Sequence, residues 1–147
     1  GSLILYDTFN ASPEATLAAL DTLAELPGAN KVAILGDMPD LGDIEKEAHR
    51  QICQYAATRV QRLVTKGEAA QEIAAAALQH DGGLGRHAVA VTFTSDDAAA
   101  AVEDLLSPDT TILVKGGAGV RLERVVKRLL AEPKQAKKHL VRQQAVS

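Results

Sequence analysis

The sequence predicts an α/β protein: an open, mostly parallel sheet with helices on both faces, in a single domain. Three observations predict it. Apolar runs, several of them continuous rather than alternating, take turns with segments of helical period. The connections are short and carry turn and cap residues at the junctions. Aromatic residues make up only 3% of the chain, so its interior must be built from Leu, Val, Ile and Ala, as in helices packed on a parallel sheet.

The elements follow in order. Strands are expected at 3–6, 31–35, 62–65, 88–93 and 111–115. The first helix carries Leu17, Leu20, Leu23 and Ala24 on one face. Ser12, Pro13 and Glu14 read as its N-cap, first position and acidic first turn, and Pro27-Gly28 as its end. The second has an i, i+4, i+8 stripe with Ile44, Ala48, Ile52, Tyr55 and Ala56, and Asp43 as its expected cap. Cys53 falls among these apolar neighbours and reads as an inert core residue. A third helix is expected around Ala70, Ile73, Ala74, Ala77 and Leu78, and residues 80–87, with three glycines, read as a loop. The fourth, started by Ser95-Asp96-Asp97, shows Ala98, Val102, Leu105 and Leu106. The fifth shows Leu122, Val125, Val126, Leu129 and Leu130.

The chain has 147 residues, 46% apolar and 24% charged, enough for one domain with a real core. Its formal net charge of -3 does not mark a nucleic-acid binder. No apolar run approaches the ~20 residues of a membrane-spanning helix, and no secretory signal is visible. A single cysteine excludes an internal disulfide and fits a reducing, cytoplasmic setting. Gly1-Ser2 reads as a cloning scar, 3–132 as the domain and 133–147 as a basic C-terminal extension. The extension carries Lys134, Lys137, Lys138 and Arg142 and no acid. A solvated, partly helical segment is expected there, with a basic docking surface as the sharper alternative.

Ligands of open α/β sheets bind outside the carboxyl ends of the strands. Three such ends are rich in polar residues or glycine. The first is 7–13. Ser12 and Asn10 have turn and cap explanations, but Asp7, a carboxylate ending an apolar strand, needs partners. Phe9 either packs on a neighbour or offers a stacking face. The second is 36–42, where Asp37 ends a strand between Gly36 and Gly42, with His49 following on a helix. His49 is either a surface residue or points back at that loop. The third is Lys115-Gly116-Gly117-Ala118-Gly119, either a tight turn or a backbone cradle for an anion. It is neither a Walker A loop nor G-x-G-x-x-G. Zinc spacing and a nucleophile elbow are also missing.

Taken together, the three loops resemble the C-terminal domain of the Mur ligases. In the branch that adds D-alanyl-D-alanine to a UDP-N-acetylmuramoyl tripeptide, the pattern is roughly D-[ST]-Y-N-A-N-P, G-D-M-x-E-L-G with a following His, then L-V-K-G-S-R. Here the stretches read "DTFNASP", "GDMPDLG" with "EAHR", and "ILVKGGAGVRLERVV", and the similarity runs from about Leu3 to Leu130.

The resemblance implies a Rossmann-like domain that closes over ATP and helps to hold the incoming D-alanyl-D-alanine. Its own N-terminal and central domains would be its partners, the central one holding most of the magnesium and phosphate chemistry. It implies no nucleic-acid or membrane partner. Asp7, Phe9 and Asn10 match the residues expected beside ATP. Lys115 and Gly116 match the turn at the interdomain site, with Asp37 and His49 in the second motif. No catalytic residue is assigned to this part of the enzyme, and alone it would be inactive. Four positions depart: Phe9 for Tyr, Ser12 for Asn, Asp40 for Glu, and Gly117-Ala118 for Ser-Arg. Arg121, one turn later, is the candidate for the missing Arg. Two alternatives stay open: a related amide ligase with another acceptor, cyanophycin-synthetase-like, or a non-catalytic α/β module binding a nucleotide or protein.

Overall fold

A computed structural model describes residues 2–7, 12–68, 84, 88–117, 121–130 and 138–141, the last four by backbone only. The expected third helix, and all but Leu84 of the 80–87 loop, lie outside the described residues. Six strands form one all-parallel sheet: β1 (Leu3–Asp7), β2 (Asn30–Gly36), β3 (Arg62–Lys66), β4 (Val89–Thr92), β5 (Thr110–Lys115) and β6 (Lys138–Val141). Their order is β4-β3-β2-β5-β1-β6. The four described α-helices are α1 (Pro13–Glu25), α2 (Glu45–Ala57), α3 (Ser95–Glu103) and α4 (Glu123–Leu130).

The continuous apolar strands are covered on both faces. Along β2 and β5, Ala33, Leu35 and Leu113 face one way. They pack with Leu20 and Leu23 of α1 and Ile52, Cys53 and Ala56 of α2. The alternate residues Val32, Ile34, Ile112 and Val114 face the other way, against Val102 of α3 and Val125 and Leu129 of α4. Each fully buried Leu, Ile or Val contributes about 1.5–3 kcal/mol, which is why β2 and β5 form the centre of the sheet.

Side-chain caps start two of the four described helices. The Ser12 hydroxyl accepts from the Ala15 amide at 3.1 Å, with Pro13 at the first helical position, as expected. One expected cap is corrected. Asp43 does not cap α2: it lies inside a 3-10 turn, Gly42–Ile44, and α2 starts from Ile44 without a side-chain cap. Ser95 starts α3 as expected, capped by Thr94, whose hydroxyl accepts from the Asp97 amide at 3.0 Å.

The tail departs further from expectation. Residues 138–141 are a strand, not helix, paired in parallel with β1 from Leu3 opposite Lys138 to Tyr6 opposite Val141. An open edge of β1 supplies backbone partners to any extended segment that reaches it. At the chain start, the buried Ser2 hydroxyl donates to the Ser107 carbonyl and accepts from the Ser107 amide, both at 2.9 Å.

Candidate functional site

The order of the strands places the ends of β1, β5 and β2, where the three polar loops begin, side by side. β5 follows β4 in the chain but inserts between β2 and β1. The helix after β1 covers one face and the helix after β5 covers the other. Connections that leave neighbouring strands on opposite faces open a crevice at the carboxyl ends.

At that crevice Asp7 and Lys115 are register partners. Both are buried, and the Lys115 ammonium lies 3.1 Å from Asp7 Oδ2. The Gly116 amide extends the pairing by donating to the Asp7 carbonyl at 3.2 Å. The carboxylate ending β1 and the lysine ending β5 thus form a buried ion pair with each other, an arrangement that the expectation of two separate ligand contacts did not include.

The second loop closes against both of its neighbours. Gly117 approaches Pro39 so closely that a Cβ there would lie 3.2 Å from the proline Cδ. On the other side, the Asp37 carboxylate covers Gly67, whose φ is +116°, and a Cβ on Gly67 would sit 2.4 Å from Asp37 Oδ2. Only glycine meets both conditions at 67. Met38 is buried, and its sulfur accepts the Thr16 hydroxyl of α1 at 3.9 Å.

His49 points back at this loop and is fully buried. Its Nε2 accepts from the Met38 amide at 3.1 Å, and its Nδ1 lies 2.7 Å from the Glu45 carbonyl. An amide can only donate and a carbonyl can only accept, so these partners fix the neutral ring with its hydrogen on Nδ1. His49 is therefore a support under the loop.

One departure from the resembled pattern, the glycine at 117, meets Pro39, which stands at the variable position of the second motif. Gly117→Ser should destabilise the domain by about 1 kcal/mol, because the added Cβ presses on the Pro39 ring. Pro39→Ala should relieve most of that loss. Denaturant melts of the two single variants and the double variant measure the coupling.

Arg121 gathers with Lys66 and Arg124. It is exposed, has φ 57°, and stands 3.6 Å from Glu123. It lines a separate cleft of about 330 Å³ at the ends of β3 and β4, with Lys66, Phe93, Thr94, Ser95, Asp96 and Arg124. Burial lowers the pKa of Lys66; Arg124 adds to this, while Glu123 and Asp37 oppose it. The sequence reading missed Lys66, Phe93 and Arg124. Lys66 ends its strand as Asp7 and Lys115 end theirs, and that position was the available signal. Phe9, Asn10 and Ala118 lie outside the described residues. Among the described residues, no three His, Cys, Asp or Glu side chains are grouped to hold a metal ion, and no helix is long and apolar enough to cross a membrane.

Fold and site together define a Rossmann-like α/β domain with a buried carboxylate–ammonium pair at the ends of two neighbouring strands. The family model "Mur ligase, glutamate ligase domain" matches residues 1–118. The chain belongs to this family.

Two of its curated relatives carry the same name. The UDP-N-acetylmuramoyl-tripeptide--D-alanyl-D-alanine ligase of Bacillus subtilis is 33% identical over 135 residues, which are 90% of this chain and 29% of the relative. The Escherichia coli enzyme of the same name is 33% identical over 131 residues, covering 86% and 26%. A crystal structure of MurF from Acinetobacter baumannii superposes with a TM-score of 0.74 at 24% identity, over 86% of this chain and 28% of that one. MurF ligase from Thermotoga maritima in complex with ADP gives 0.72 at 24%, over 87% and 28%. At such identities the two structures bear on the fold alone. The chain spans less than a third of the length of the curated relatives it matches.

Proposed function

We propose that this chain is the C-terminal domain of an ATP-dependent amide ligase of cell-wall precursor synthesis, the type that adds D-alanyl-D-alanine to a UDP-N-acetylmuramoyl tripeptide. The observation that carries the reading is that the strands on which the three motifs begin, β1, β5 and β2, are neighbours, with Asp7 and Lys115 paired at their ends.

In this reading, ATP phosphorylates the tripeptide's carboxylate and leaves as ADP. The dipeptide amine then attacks the acyl carbon, forms the amide and expels phosphate. The domain's part is to close over ATP and exclude water, which would hydrolyse the acyl phosphate. Asp7, Phe9 and Asn10 form the nucleotide side. Lys115 holds the Asp7 carboxylate at the pocket floor, and the Gly116-Gly117 turn faces the interdomain site with Asp37. His49 shapes the second loop from beneath. Magnesium belongs mainly to the central domain, and an ATP-consuming reaction of this kind belongs in the cytoplasm.

A second reading is a related ligase with another acceptor. Its support is the contact of Pro39 on Gly117, in the space where the resembled pattern carries a serine side chain. Both readings are tested with the full-length protein, ATP, the UDP-muramoyl tripeptide and a panel of amino acids and dipeptides. ADP release that depends on D-alanyl-D-alanine is the expected result. Release with a different amine only would establish the second reading, and no acceptor-dependent release would overturn both.

A further inference from the structure

We propose that His49 is a proton-sensitive latch on the second loop. The neutral ring holds residues 38–42 closed over the turn at 116–117, and a proton on its Nε2 releases them.

The latch follows from what the two ring nitrogens touch. The ring is fully buried. Its Nε2 accepts from the Met38 amide at 3.1 Å, and its Nδ1 donates to the Glu45 carbonyl, 2.7 Å away. Neither partner can reverse its role, so exchange of tautomers makes no room for a second proton. An imidazolium would set Nε2–H against the Met38 N–H, donor against donor. It would also place a charge in the interior, which needs a counter-charge to be stable there.

The surroundings supply none in contact with the ring. On α2, Glu45, Glu47 and Arg50 are exposed, and Arg50 pairs with Glu47 at 3.4 Å. On the loop, Asp40 is exposed and the Asp37 carboxylate lies over Gly67. At the strand ends, Asp7 pairs with Lys115 at 3.1 Å, and Glu123 and Asp37 act on Lys66. From α1 comes the Thr16 hydroxyl, which bonds the Met38 sulfur. Among the described residues, the polar contacts of the ring are the Met38 amide and the Glu45 carbonyl.

What this bond holds is the loop. Pro39, Asp40 and Gly42 are exposed, and Asp40 and Gly42 have left-handed backbone, with φ 59° and 57°. An aspartate in that region persists where its surroundings hold it. The Met38 amide ties the loop to α2, with the Met38 side chain buried beneath. Pro39 in turn covers Gly117, which is buried together with Gly116. Release at Met38 therefore uncovers the turn that follows Lys115.

Linkage gives the sign. The closed loop excludes a proton from Nε2 and the open loop accepts one. The closed form is therefore complete at higher pH and loses population as pH falls, by up to about tenfold per pH unit for one proton. A ligand seated against the closed loop binds more weakly in acid for the same reason.

The test is NMR of this chain from about pH 8 to about pH 5, the interval in which histidine ordinarily changes charge. The ring signals of His49 are followed together with the amides of residues 37–42 and 116–117. Ring and amides should move with one midpoint. The protection factor of the Met38 amide should fall about tenfold or more across the interval, while the amides of β2 and β5 keep theirs. In His49→Gln, whose side chain takes no proton, the loop amides should not follow pH. Three results would overturn the proposal: a ring that takes its proton while the loop stays in place, a ring that stays neutral until the whole domain unfolds, or the same loop response in His49→Gln. Should that variant not fold, the comparison of ring and loop in the wild type decides alone. The latch stands on the geometry around His49, so these results and those for the ligase reading are independent.

Discussion

Lys115→Met should destabilise the folded domain by about 3–5 kcal/mol, because it leaves the Asp7 carboxylate buried without its counter-charge. Lys115 is among the largest fully buried side chains, so the methionine can fill its volume and the loss isolates the charge. The melting temperature should fall by about 10 °C or more. Removing both charges, as Asp7→Leu with Lys115→Met, should recover most of the loss, since an apolar pair of similar size is often as stable as a buried ion pair. Urea denaturation of the wild type and these variants gives the measurement. A loss below about 1 kcal/mol in the single variant would mean that water reaches the pair freely. If the proposed function holds, the same substitution in the full-length protein should depress ATP-dependent turnover even at temperatures where the protein remains folded, because Asp7 loses its anchor.

His49→Ala is the second large effect, about 3 kcal/mol. It deletes a fully buried ring and removes the acceptor of the Met38 amide. An orphaned interior amide costs about 1–3 kcal/mol, and the cavity adds to it. His49→Gln, whose side-chain oxygen can still accept from that amide, should fall between the two. Hydrogen exchange at Met38 separates the causes. It should speed up far more in the Ala variant than in the Gln variant, whereas equal acceleration would attribute the loss to packing alone.

The sheet was legible because its strands are apolar without interruption, and a strand covered on both faces has few other compositions open to it. Ser12-Pro13 was legible because cap chemistry is local. The pairing of Asp7 with Lys115 was not, since 108 residues separate them and strand order is a property of the whole fold. His49 was ambiguous for a related reason: helical phase alone does not say where the preceding loop folds back. The cleft escaped notice because Lys66, Phe93 and Arg124 form no motif in the chain. They become a group only where β3 and β4 end beside α3 and α4. The β6 strand was hidden by its brevity and by lysine-rich flanks, and the edge of β1 decides it.

That last strand bears on any attempt to shorten the domain. Trimming the chain before Lys138 would uncover one side of β1 along Leu3–Tyr6, an apolar ribbon with unanswered amides and carbonyls. Such a margin invites self-association between copies. A minimal version for crystallisation or solution work should therefore retain the tail at least through Val141.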